Sequence, residues 1–170
     1  MITLETLQQW LNAPAENEQL EFKEAKHQFD TTKLLKYCVA LANEGGGFLV
    51  LGITDKLPRQ IVGSQAFLTP AHLNDIKARI VQKLRFRVET TELNHPDGRV
   101  LVFNIPPRPT GQPLAYDGTY LMRAGEELVP MSSKAFLLRT NKTGSLNPPS
   151  PKPVPMMLLP FSTPKPTLNS

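Results

Sequence analysis

Residues 48–53, FLVLGI, leave this chain fewer choices than any other stretch. The run holds no charged group and is too short to cross a membrane. It reads as a strand covered on both faces, central in its sheet. Gly45, Gly46 and Gly47 stand directly before it. Glycine takes the positive φ that a helix C-terminus asks for, so the three residues end a helix and turn the chain into the strand. That helix is capped by Asp30 or Thr31 and runs to about Asn43. Leu34, Leu35, Cys38, Leu41 and Ala42 share one of its faces, with Lys33 and Lys36 opposite.

The other elements follow from spacing. Leu4, Leu7 and Leu11 mark a short helix over 3–12, with Thr3 as its cap and Pro14 preventing continuation. Residues 19–25, QLEFKEA, alternate as a half-buried strand, Leu20 and Phe22 on one face and Glu21 and Lys23 on the other. Leu73, Ile76, Ile80 and Leu84 form the stripe of a helix from Pro70 to Leu84. Strands are expected at 85–93 and 99–106, joined by the turn HPDG. A rigid loop over 106–118, a strand over 119–124 and a helix over 131–139 complete the folded part. The expected fold class is α+β: one domain over 1–140, a mixed β-sheet covered by helices. Residues 141–170 read as a disordered Pro-rich tail.

Charge has to be divided between these parts. The chain of 170 residues has a formal net charge of +4 and 17 prolines. Eight of those prolines and three lysines lie beyond residue 140, with no acid, which leaves 16 bases against 15 acids in the folded part. Overall basicity is therefore no argument for nucleic-acid binding by the domain. The single cysteine, Cys38, excludes an intramolecular disulfide and a multi-cysteine zinc site, and reads as a small core residue. No run reaches membrane-spanning length and the N-terminus lacks the pattern of a signal peptide, so a cytoplasmic protein with no membrane association is expected. The glycine run follows a helix and precedes a strand, the reverse of a phosphate loop, and no GK[ST] follows: there is no ATP motif.

Two groups of residues carry candidate chemistry. Glu16, Glu18 and Glu21 lie close together, with Lys23 after them and Asp55 just beyond the apolar strand. Clustered carboxylates suit Mg²⁺ or Mn²⁺, and a neighbouring lysine suits a phosphate. The alternatives are charges pairing across an exposed strand face, and a turn aspartate capping local amides. A spacing of five sets Glu16 and Glu21 on opposite faces of a regular strand, so they converge only if Glu16 lies in the loop after Pro14. The second group is Lys77, Arg79, Lys83, Arg85 and Arg87, with no acid between 76 and 88. It reads either as a cationic ridge for a phosphate backbone, which Arg108, Arg123 and Arg139 would extend, or as a solvated face.

ENEQLEFKEA, the helix ending ALANEGGGFLVLGITDK, IVG at 61–63 and YLMRAGEELVPMS at 120–132 occur in the order and spacing of a known family. Over about 13–138 the chain resembles the Schlafen/AlbA-type domain, described as DNA-binding, with Asn17 where the family motif has serine. The resemblance implies a nucleic-acid-binding domain, for DNA or RNA, of the kind found in regulators of transcription. It needs no cofactor for binding and would work with a partner or as a homodimer. The same resemblance implies an alternative, a Mg²⁺- or Mn²⁺-dependent endoribonuclease with Glu16, Glu21 and Asp55 as catalytic metal ligands. In the binding reading Lys23, Lys77, Arg79, Lys83, Arg85 and Arg87 contact phosphates. A third reading is an adaptor whose tail offers proline-rich ligands to an SH3- or WW-like partner.

Overall fold

Thr3 and Thr6 bond reciprocally across the first turn of α1, Leu4–Leu11, so the expected cap forms. The computed structural model describes residues 1–14 and 17–140; Glu16 and the expected tail over 141–170 lie outside the described residues. β1 is Leu20–Lys23, and Asp30 caps α2, Thr31–Asn43, by accepting from the Lys33 amide at 2.7 Å. β2 is Gly47–Leu51; α3, Pro70–Leu84, follows its Thr69 cap. The chain then runs through β3 (Glu89–His95), β4 (Gly98–Ile105), β5 (Ala115–Tyr116), β6 (Thr119–Ala124), β7 (Glu127–Pro130) and α4 (Ser133–Thr140).

The main sheet has the order β1-β2-β4-β3. β2 is an inner strand, parallel to β1 and antiparallel to β4, as its unbroken apolar run requires. Strand alternation then sorts the core into two layers. Leu49, Leu51, Leu101, Phe103 and Ile105 pack with α2 and α3. Leu20, Phe22, Val50, Val100 and Val102 pack on the other side with Leu7 of α1. The mixed sheet covered by helices, expected from the sequence, is the observed α+β architecture.

Three local readings need correction. Residues 85–88 are not strand: α3 ends at Arg85, whose left-handed φ of 64° redirects the chain, and pairing with β4 starts only at Glu89. Part of the expected 106–118 loop, together with 119–124 and 127–130, builds a second sheet, β5-β6-β7. Its β5–β6 hairpin turns on Asp117 and Gly118, both at positive φ, as a type I′ turn demands. Neither α2 nor β1 is covered on one side only. Leu114, Tyr116, Leu121 and Leu128 of the second-sheet region pack into the α2 core, and Tyr37, Val39 and Ala40 are buried with the expected stripe.

The end of α2 fastens this second sheet. Asn43 Nδ2 donates to the carbonyls of Leu114 and Leu121 at 2.9 and 2.7 Å, and its Oδ1 accepts from the Leu114 amide at 2.8 Å. Glu44 accepts from the Arg123 amide and from Arg139 Nη2. The glycines after it bring α2 and β2 against the chain entering β1: a Cβ on Gly47 would run into the Gln19 carbonyl.

Candidate nucleic-acid interface

Alternation along β1 turns Glu21 and Lys23 toward α2, away from Leu20 and Phe22. There the second sheet closes over them, and Glu21 is 0% exposed. Its carboxylate meets two cations. Lys23 Nζ lies 2.6 Å from Oε1, and Arg123 Nη1, from β6, pairs with Oε2. Arg123 is buried as deeply, and its Nε and Nη2 also donate to the Gly125 carbonyl at 3.2 and 2.9 Å. Tyr37 of α2 presents its ring to both cations, 5.7 Å from each. Asp55, in the turn beyond β2, accepts from Lys23 Nζ at 3.4 Å and is 48% exposed.

The electrostatics agree with this geometry. Burial alone would lower the Lys23 pKa, but the hydrogen bond and charge of Glu21 outweigh it and hold the ammonium above its usual range. Burial, joined by the Glu21 charge, raises the Tyr37 phenol. At the next residue of α2, burial pushes the Cys38 thiol up to about 12, the mark of a core cysteine and not of a nucleophile.

The expected metal ligands divide accordingly. Glu21 and Asp55 are brought together, yet they meet on an ammonium, and the buried carboxylate has a cation on each oxygen. As arranged, these two donors do not fit a divalent cation. Among the described residues no group of three or more His, Cys, Asp or Glu forms a metal site. Glu16 lies outside those residues, and Glu18 is exposed.

The basic run takes a different course from a single ridge. At 100° per residue, α3 projects Arg79 and Lys83 from one flank of its buried stripe and Lys77 from the other. Arg79 Nε donates to Asp75 Oδ2 at 2.9 Å, an acid one turn before it. Arg85 occupies the helix C-cap, and Arg87 the exposed chain leading into β3. Arg123 and Arg139 do not extend the run, because each is held by an acid, Glu21 and Glu44 respectively. Arg108 lies near Arg139 and Glu44; burial, then the Arg139 charge, lowers its pKa. Lys23 faces α2 at the far end of β1, engaged with its two carboxylates.

The family whose sequence pattern fits this chain is the one described as Schlafen, AlbA_2, matched over residues 16–132. The protein belongs to that family. The fold agrees with solved structures. The DIP2311 protein of Corynebacterium diphtheriae superposes with a TM-score of 0.61 at 17% identity, over 84% of this chain and 32% of that one. This chain thus spans about a third of that protein's length. The N-terminal domain of a Nitrosomonas europaea protein related to the ATP-dependent DNA helicase RecG superposes with a TM-score of 0.54 at 21% identity, covering 74% of this chain and 88% of that domain. No curated protein matches the sequence.

Within this Schlafen, AlbA_2 domain the ALANEGGG motif acquires a structural meaning. Asn43 and Glu44 attach the second sheet and α4, while the glycines allow close approach to β1 and β4. The residues least legible in the sequence were Arg123 and Tyr37. Arg123 looks like any basic residue of a β-hairpin, and its sole local hint was alternation inside TYLMRA, which puts it on the face of the buried Leu121. Nothing in the described helices is long and apolar enough to cross a membrane.

Proposed function

We propose that this Schlafen, AlbA_2 domain binds nucleic acid through the cations at the end of α3. The observation that carries the reading is a contrast in pairing. Lys83, Arg85 and Arg87 have no acid partner among the described residues, whereas Lys23, Arg79, Arg123 and Arg139 are all engaged by acids. Unneutralised cations along an exposed helix end and the chain after it suit a phosphate backbone, which binds by releasing condensed counterions. The family description and the helicase-related neighbour point the same way.

Fluorescence anisotropy with labelled DNA and RNA strands, repeated across a salt series, tests this. Affinity is expected to fall steeply with salt, and Arg85→Ala with Arg87→Ala to reduce the slope of log K against log salt by about 2. Binding indifferent to salt, or to the double substitution, sinks the assignment. The nuclease reading draws its support from the meeting of Glu21 and Asp55, and is the weaker one because Lys23 stands between them. Cleavage of RNA that requires Mn²⁺ and disappears in Asp55→Ala would reverse that ranking.

A further inference from the structure

Beyond the phosphate contacts, a second feature lies on the opposite face of the main sheet from Glu21. Register places Phe48 of β2 beside Asn104 of β4, and Asn104 beside Glu89 of β3. Directly paired residues of antiparallel strands point to the same face, with Cβ atoms about 5 Å apart. An aromatic ring, an amide and a carboxylate therefore stand in one row across three strands. Trp10 of α1 packs on Phe48 with ring centroids 5.0 Å apart, but the row continues past it into an open groove of about 550 Å³. The Gly45–Gly47 run and Pro106–Pro107 line the groove as well, and Arg87 stands at its margin.

Three polar groups of this groove are unused. Among the described residues, the Asn104 amide, the Glu89 carboxylate and the Arg87 guanidinium make no side-chain hydrogen bond and no ion pair. Nearly every other strand-borne charge of the main sheet is engaged: Glu21 and Lys23 with each other, Arg99 with Glu92 at 3.2 Å. Polar groups converging on an apolar-floored depression without partners of their own are the usual composition of a ligand site. Glu89 makes the groove poor for a phosphate, while Arg87 beside it is suited to one.

We propose that this groove receives an unpaired guanine of a bound nucleic-acid strand. Guanine presents two adjacent donors, N1–H and the N2 amino group, that match the two oxygens of a carboxylate. Adenine, cytosine and uracil each offer one donor on that edge. Glu89 accepts from both guanine donors, the neighbouring Asn104 amide donates to O6, and Phe48 with the proline and glycine backbone forms the apolar floor. Arg87 takes the adjoining phosphate. The assignment rests on the nucleic-acid reading and deepens it by naming a base.

The test uses the full chain and short labelled single strands that differ at one central base: guanine, inosine, which lacks the N2 amino group, or adenine. Guanine is expected to bind about tenfold more tightly than adenine, with inosine between them. Glu89→Gln should erase the preference while retaining salt-dependent binding, and Arg87→Ala should weaken all three strands together. Equal affinity for the three strands overturns the guanine site and leaves the phosphate contacts standing. A preference that survives Glu89→Gln overturns it too. Absence of binding by every strand overturns both readings. Guanosine monophosphate that binds with the same Glu89 dependence when no strand does would transfer the site to a free nucleotide and overturn the strand assignment.

Discussion

The two faces of the main sheet treat charge in opposite ways. On the α2 side, Glu21, Lys23 and Arg123 are gathered under the second sheet and neutralise one another. On the other side, Asn104 and Glu89 lie in an open groove with Arg87 at its edge. The sequence presents both sets as polar residues in or beside strands. Their surroundings give them different work. A buried charge left unpaired costs the fold heavily, so the first set is committed to structure. An exposed polar group with no internal partner costs the fold little and remains available to a ligand.

The largest effect expected from this contrast concerns Glu21. Glu21→Ala leaves Arg123 buried without its carboxylate, and should destabilise the domain by about 3–5 kcal/mol in urea unfolding. Glu89→Gln should stay within about 0.5 kcal/mol in the same measurement. If the two substitutions cost the same, the division between a structural and an available face fails. Replacing the pair together, Glu21→Leu with Arg123→Met, should restore much of the loss, because an apolar pair of similar volume needs no desolvation of charge.

The α2 side also predicts a pH response. Cys38, Tyr37 and Lys23 all hold their protons more tightly in the fold than in the unfolded chain. Stability is therefore full below the ordinary pKa of each group and declines as pH rises. For Cys38 the decline runs from its ordinary value of 9.0 to about 12, and amounts to about 4 kcal/mol by the upper limit. Stability measured at several alkaline pH values should fall less steeply in Cys38→Ala, whatever that variant loses at neutral pH. An unchanged slope would remove the thiol from the account.

A smaller effect separates the second sheet from the first. Asn43→Ala deletes three hydrogen bonds to Leu114 and Leu121, and should cost about 2–3 kcal/mol. Amide exchange should quicken first at Leu114, whose N–H loses its acceptor, and only later in β2 and β4. The smallest effect belongs to Arg79→Ala. Its partner Asp75 and the arginine are both exposed, so stability should change by less than about 0.5 kcal/mol. Strand affinity should change less than in Arg87→Ala; a larger loss would return Arg79 to the phosphate track.

Much of the scaffold was legible because it depends on local periodicity. The Thr3 cap, the Asp30 cap, the stripe of α3 and the apolar run of β2 each carry their own signal, and each appears where it was expected. The second sheet was less legible. β5 spans two residues and β7 four, too short for alternation to show. Asp117-Gly118, a hairpin signal flanked by Tyr116 and Thr119, was the one cue available for it. The strand expected at 85–93 began too early because Arg85, Phe86, Arg87 and Val88 alternate like a strand while Arg85 is ending a helix. Alternation cannot reveal a left-handed residue.

The sequence by itself determined the order of the principal elements, the inner position of β2 and the family to which the chain belongs, since these follow from spacing and motif. Only the tertiary structure decided which charges are used up. Glu21 and Arg123 are separated by a hundred residues of chain and meet because β6 folds over α2. Phe48, Asn104 and Glu89 come from three strands and share a row because of the sheet register. Pairing of charges across a fold depends on distance in space, and that distance is set by packing and not by position along the chain.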